Sequence, residues 1–82
     1  MYIQGVTNKL TTMMTLANGK VVRDIIIRLV DQKHTNILRL NLVNKAARQS
    51  INLKLDTWIS GTGVLIYRQM LEVELKEYEE VS

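Results

Sequence analysis

The dipeptide Asn18-Gly19, which has a strand-like run on each side, restricts the fold of this chain more than any other feature. Asn-Gly between two such runs is the preferred two-residue type I′ turn of a β-hairpin, because both central residues must adopt positive φ. In that register Lys9 lies opposite Arg28. Like charges that face each other on a sheet are destabilising, so we expect an anion or a neighbouring acid beside this pair, and a phosphate backbone is one such anion.

Alternation of apolar and polar residues predicts two further strands. Residues 37–43 alternate leucine with arginine and asparagine, which is the period of a half-buried strand, and residues 51–55 repeat the pattern. Between them, residues 44–50 break the alternation. Asn44 is a candidate N-cap, and Lys45-Ala46-Ala47-Arg48-Gln49 favours one or two helical turns.

The C-terminal third is harder to interpret. Ser60-Gly61-Thr62-Gly63 has the composition of a turn, and residues 64–75 alternate as a single strand would. A stripe at helical spacing runs through the same segment, so a helix stays open as the alternative. We expect residues 78–82 to fray.

These elements predict a mainly β fold that forms a single small domain over residues 1–82. About five antiparallel strands would form a compact barrel or a curled meander, OB-like or SH3-like, with one short helical link near residues 44–50. The C-terminal segment is a strand or a helix. Ile25, Ile27, Leu40 and Leu53 are expected to point into the core.

The chain offers little that could carry catalysis. It has no cysteine and a single histidine, His34, which falls in a predicted polar reversal over residues 31–36, so we expect neither a metal site nor a cofactor. No nucleophile or phosphate-loop motif is present. We therefore predict a non-enzyme without a small-molecule substrate. The first residues do not resemble a signal peptide and no apolar run could span a membrane, so we expect a cytoplasmic protein.

Charge is distributed unevenly along the chain. Residues 1–68 carry ten lysines and arginines against three aspartates, a balance of +7, whereas residues 69–82 carry one lysine against five glutamates, a balance of −4. We predict that Arg28, Arg39, Lys54 and Arg68 contact phosphates and that Trp58 or Tyr67 stacks on a base. The competing interpretation is that Asp24, Asp56 or the C-terminal glutamates neutralise these bases within the protein.

Two functional hypotheses follow. The first is a small β-barrel accessory protein that binds nucleic acid. The second is a protein-interaction module, such as a viral or plasmid-type inhibitor or adaptor, or a homo-oligomeric structural protein that pairs exposed strand edges. A basic stripe beside Trp58 would favour nucleic acid, whereas bases scattered among acids would favour a protein partner.

Overall fold

The computed structural model describes residues 1–30 and 35–81. Within them the strands are β1 (Tyr2–Leu10), β2 (Met14–Thr15), β3 (Val21–Val30), β4 (Thr35–Val43), β5 (Trp58–Tyr67), β6 (Leu71–Leu75) and β7 (Glu79–Glu80). The helix α1 (Lys45–Gln49) and a 3₁₀ turn (Ser50–Asn52) connect β4 to β5. The predicted mainly β fold with one short helical link is confirmed.

The strands form a closed ring. Neighbours follow the order β1-β3-β4-β6-β5, and β5 pairs with β1 to complete the circle, while β2 extends the hairpin with β3 and β7 adds to β5. One pairing departs from the all-antiparallel expectation, because β4 and β6 run parallel, with Leu40 opposite Val73. The α1 connection and the long β5 separate these two strands in sequence, which is what a parallel pairing requires.

The core fills the inside of this ring. Ile25, Ile27 and Leu40 are fully buried and Leu53 nearly so, as the alternation predicted. The other core members come from every side of the barrel and from α1: Ile3, Leu42, Ala46, Ala47, Ile59, Val73, Leu75 and Tyr78. The described part of the barrel therefore encloses a packed, mainly apolar interior.

The Asn18-Gly19 hairpin forms, but its register differs from the predicted one. The loop has three residues rather than two, since Leu16 N donates to Lys20 O (2.8 Å) and Gly19 N to Leu16 O (2.9 Å). Only Gly19 has positive φ there (86°), as in a three-residue loop that ends on a left-handed glycine. A register shift between Thr7 and Lys9 in β1 adds to the difference between the predicted and the observed pairing of β1 with β3.

The predicted opposition of Lys9 and Arg28 is therefore wrong. Lys9 lies opposite Ile26, and Arg28 lies opposite Val6. No like-charge pair requires an anion at this position.

The predicted helical link is present at Lys45–Gln49, but Asn44 does not cap it. Asn44 has φ of 49° and makes no side-chain cap bond. Its backbone N instead donates to Val21 O (2.7 Å), and its Oδ1 accepts from Val21 N (3.3 Å). Asn44 thus joins the end of β4 to the start of β3.

The strand predicted over residues 51–55 is wrong. Ser50–Asn52 is a 3₁₀ turn, and Leu53 N donates back to Ser50 O (2.9 Å). Arg23 fixes this turn from the barrel, because its Nη1 donates to both Ser50 O and Ser50 Oγ. Only Leu53 of the alternating apolar residues is buried, whereas Ile51 is 72% exposed.

The turn predicted at Ser60-Gly61-Thr62-Gly63 is also wrong, since these residues lie inside β5. Gly61 and Gly63 instead lie close to backbone atoms of neighbouring segments. A Cβ on Gly63 would lie 2.5 Å from Glu74 O, and one on Gly61 would lie 3.1 Å from Glu77 O. The glycines therefore permit close strand approach along β5.

The C-terminal segment is strand, and the helical alternative is excluded. The single strand expected over residues 64–75 is divided into β5 and β6, which reverse where Arg68 N donates to Met70 O (3.1 Å). The predicted fraying after residue 77 is wrong for the described residues, because Glu79 and Glu80 pair with β5. Tyr78 is buried, and this burial raises the pKa of its hydroxyl, with the Glu80 charge adding to the shift.

Among the described residues, no helix is long and apolar enough to cross a membrane.

Replacing Leu40 by alanine tests the core. Leu40 is fully buried, so Leu40→Ala should lower the free energy of unfolding by roughly 2–5 kcal/mol. Ile37→Ala is the matched control on the same strand, because Ile37 is 66% exposed and should change stability by less than about 0.5 kcal/mol. Chemical denaturation measures both, and equal midpoints for the two variants would contradict the inward orientation of Leu40.

Replacing Gly63 by alanine tests the role of the β5 glycines. The added methyl must displace β6 backbone, so Gly63→Ala should cost roughly 1–3 kcal/mol. Thr62→Ala, at the exposed neighbouring position of β5, should be nearly neutral. Thermal melts followed by circular dichroism compare them, and a Gly63→Ala variant as stable as Thr62→Ala would contradict the close approach of β5 and β6 at Gly63.

Candidate functional site

The solvent side of β3 and β4 brings charged and apolar side chains together. We call this surface the β3–β4 face and define it by the outward positions Asp24, Ile26, Arg28, Ile37, Arg39 and Asn41, which pair with one another across the two strands. These positions alternate with the buried residues Ile25, Ile27, Leu40 and Leu42. The same alternation that builds the core therefore builds the face.

A cross-strand row links Trp58 to this face. Trp58 lies opposite Val6, Val6 lies opposite Arg28, and Arg28 lies opposite Ile37. Adjacent strands are about 4.8 Å apart, so Trp58 and Arg28 begin about 10 Å from each other on the same side of the barrel. Trp58 is 43% exposed and Ile37 66% exposed, and they occupy the two ends of this row.

Arg28 carries an unsatisfied donor. Its Nε is buried and has no hydrogen-bond partner among the described residues. A buried donor without a partner is costly, because it loses its water without replacing the hydrogen bond.

Arg39 belongs to a hydrogen-bonded network that sequence reasoning did not identify. Its Nη1 lies 3.7 Å from Asp24 Oδ2. Asn41 Nδ2 donates to Asp24 Oδ1 (2.8 Å) and to Glu72 Oε1 (2.8 Å). Asn41 and Glu72 are both more than nine-tenths buried. The parallel pairing of β4 with β6 places Glu72 opposite Arg39, and no local sequence signal predicts that neighbour.

Arg68 lies at the reversal between β5 and β6, close to Arg39. The two arginines line one surface groove of about 400 Å³ together with Asp24, Gln69, Met70 and Glu72. The structure therefore places Arg28, Arg39, Arg68 and Trp58 on or beside a single face.

Lys54 and Tyr67 lie elsewhere. Lys54 follows the 3₁₀ turn, and its carbonyl oxygen accepts from Thr7 Oγ1 (2.6 Å) while its side chain faces solvent. Tyr67 is 78% exposed but alternates with Ile66 and Arg68 at the end of β5, so it occupies the other side of the β5–β6 hairpin.

The acidic C-terminal segment folds against the basic body. Glu72 and Glu74 lie on β6 beside Arg39 and Asn41, and Glu77 Oε2 is 3.0 Å from Lys45 Nζ. Internal neutralisation therefore applies to Arg39 and Lys45. Within the described part of the chain, neither Arg28 nor Arg68 has an acidic partner within 4.0 Å. The positive surface beside Trp58 therefore contains carboxylates at its centre, around Arg39. Its arginines without an acidic partner, Arg28 and Arg68, lie at its edges.

A metal centre finds no support in the described ranges, where no group of three or more potential ligands is close enough to hold an ion. His34, together with most of the polar reversal predicted over residues 31–36, lies outside the described residues.

Comparison with known proteins matches the fold but not the sequence. No protein-family model matches the chain, and no curated protein matches it. The wild-type single-stranded DNA binding protein from Thermus aquaticus superposes with a TM-score of 0.87 and 15% identity over 99% of this chain. This chain spans only 39% of that protein, or about two fifths of its length.

Two shorter proteins also match. The dimeric N-terminal domain of PriB from Thermoanaerobacter tencongensis has a TM-score of 0.72 and 17% identity, over 100% of this chain and 94% of that one. The small single-stranded DNA-binding protein from Streptomyces coelicolor has a TM-score of 0.60 and 17% identity, over 100% of this chain and 87% of that one. At these identities the likeness shows the fold alone. Of the two barrel types expected from the sequence, it is the OB type.

Proposed function

We propose that this chain is a small non-enzymatic protein that binds single-stranded nucleic acid on the β3–β4 face. The observation that carries the proposal is the placement of Arg28, Arg68 and Trp58 around one face of an OB-type barrel. The matched proteins from Thermus and Streptomyces are named for binding single-stranded DNA, which supports the same class of ligand here.

The division of roles follows from charge and exposure. Arg28 has no acidic partner among the described residues, and Arg68 is exposed at the tip of the β5–β6 hairpin, so these two contact phosphates. Trp58 presents a partly exposed ring beside Arg28, and a base that stacks on it gains about 1–3 kcal/mol. Arg39 contributes less to phosphate binding because Asp24 already balances its charge. Lys54 and Tyr67 stay predicted contacts outside the face.

Replacing the two phosphate contacts tests this function. Binding of a fluorescent oligonucleotide should weaken steeply with salt, because bound phosphates release counterions. Changing Arg28 and Arg68 together to glutamine should reduce the log–log salt slope by about 1.4 units, or about 0.7 per phosphate on a single strand.

The control variant removes equal charge elsewhere. Arg48 and Lys76 are exposed and lie off the face, so replacing both with glutamine should leave the salt slope nearly unchanged. Trp58 fluorescence should be quenched on binding in all three proteins. Wild-type protein that binds no oligonucleotide at ~50 mM salt and micromolar concentration would refute the proposed function.

A second candidate function, self-association, is favoured by the β5–β6 hairpin. Its exposed apolar side chains lie on both sides of the ribbon: Val64, Leu65, Tyr67, Met70 and Leu71. In the described ranges no strand pairs with the edge of β5 away from β6 over residues 64–67. An open, apolar strand edge is a template for another chain, and the matched PriB domain is described as dimeric.

Charge placed on this edge tests self-association. We propose that two copies pair antiparallel through β5, so wild-type protein should run as a dimer in size-exclusion chromatography with light scattering. Changing Val64 and Tyr67 together to lysine should give a folded monomer, because opposed lysines repel across a sheet. Ile51→Lys is the control, since Ile51 is 72% exposed but distant from the hairpin. Wild-type protein that is monomeric at every accessible concentration would refute this pairing.

A further inference from the structure

The surface groove near the tip of the β5–β6 hairpin, which Arg39 and Arg68 line, is not suited to a phosphate. Its lining pairs two carboxylates, Asp24 and Glu72, with two guanidinium groups, Arg39 and Arg68. A phosphate that approached Arg39 would also approach both carboxylates, and like charges at close range repel. A ligand for this groove must therefore carry hydrogen-bond donors as well as acceptors, without net negative charge at the point of contact.

The Asp24 carboxylate is held ready to accept hydrogen bonds. The buried Asn41 amide donates to one oxygen of Asp24 and to Glu72, which fixes the two carboxylates side by side. The other Asp24 oxygen lies 3.7 Å from Arg39, beyond hydrogen-bond distance, and the Asp24 side chain is 42% exposed. That oxygen keeps free acceptor capacity, and Arg39 keeps free donors.

An acceptor beside a donor matches the edge of a nucleobase that bears an exocyclic amino group. Cytosine presents its N4 amino group next to the acceptor N3, so Asp24 can accept from N4 while Arg39 donates to N3. In the same orientation uracil and thymine turn a carbonyl oxygen toward the Asp24 carboxylate and their N3–H donor toward Arg39, so both contacts are mismatched. Their N3–H reaches Asp24 only if the ring shifts along the groove. The exposed thioether of Met70 supplies an apolar wall for the face of the ring.

We propose that this groove binds one amino-bearing base of a single strand, with Asp24 and Arg39 reading its hydrogen-bonding edge. The inference rests on the proposed function and adds a base preference to it. Arg28 and Arg68 hold the phosphates on either side, while Asn41 and Glu72 act as positioning residues for Asp24.

A matched pair of ligands tests the preference. Deoxycytidine and deoxyuridine oligonucleotides of about ten nucleotides differ only in the edge that this groove would read. At neutral pH the wild-type protein should bind the cytosine strand about tenfold more tightly, since one good paired contact discriminates by roughly that factor.

A matched pair of variants locates the preference. Asp24→Asn keeps the side-chain shape and should bring the ratio of the two dissociation constants close to one. Asp56→Asn removes the same charge from an exposed turn with φ of 59°, which asparagine tolerates, and should leave the ratio unchanged. A preference that persists in Asp24→Asn, or one that disappears in Asp56→Asn, would overturn the assignment to this groove.

A measurement on wild-type protein covers the case in which Asp24→Asn does not fold. The side-chain amide resonance of Asn41 should shift when the cytosine strand binds and stay in place when the uracil strand binds. Equal affinity of wild-type protein for the two strands overturns the base-reading groove and leaves the proposed function standing. Failure to bind either strand overturns both.

Discussion

The pairing of β5 with β1 is the constraint on which the rest of the structure depends. A sheet of this length has two edges unless its end strands meet, and here β1 bonds to β3 on one side and to β5 on the other. Closure requires the strand backbones to approach one another closely, and glycines lie where the space is smallest. A Cβ on Gly5, for example, would lie 2.8 Å from Arg28 O. Once the ring is closed, the inward side chains of all its strands pack into one small core. A short chain without disulfides can therefore still bury that core.

Closure also creates the candidate site. The ring brings β6 alongside β4 in parallel, although Arg39 and Glu72 are 33 positions apart in the sequence. This contact supplies a buried carboxylate to Asn41 and thereby orients Asp24. The Asp24–Asn41 contact lies within the β3–β4 pair, but the second carboxylate of the network comes from β6 and is therefore a product of the barrel topology.

Local patterns in the sequence predicted the parts of the fold that local physics decides. The alternation in residues 37–43 identified β4 and its inward residue Leu40, and Asn18-Gly19 located the first reversal. The errors arose where distant contacts decide the structure. Ser60-Gly61-Thr62-Gly63 has the composition of a turn, but β6 and the segment around Tyr78 need the space that a Cβ would fill. Residues 51–55 alternate like a strand, but Arg23 holds Ser50 in a 3₁₀ turn. For the site, outward alternation placed Arg28 and Arg39 on the solvent side, whereas the carboxylate of Glu72 joins Asn41 and Asp24 only through the β4–β6 pairing.

The uneven charge of the chain acquires a spatial meaning in the folded state. Folding places the acidic β6 against the centre of a basic face, so positive charge is left at its margins, at Arg28 on one side and Arg68 on the other. A single strand that crosses such a face can meet positive charge with its phosphates at the margins and polar acceptors with a base in the middle. The proposed arrangement is compatible with the small number of aromatic residues in the chain. Under that proposal, hydrogen bonds from a base edge to Asp24 and Arg39 would replace part of the binding energy that stacking supplies on barrels richer in aromatic side chains.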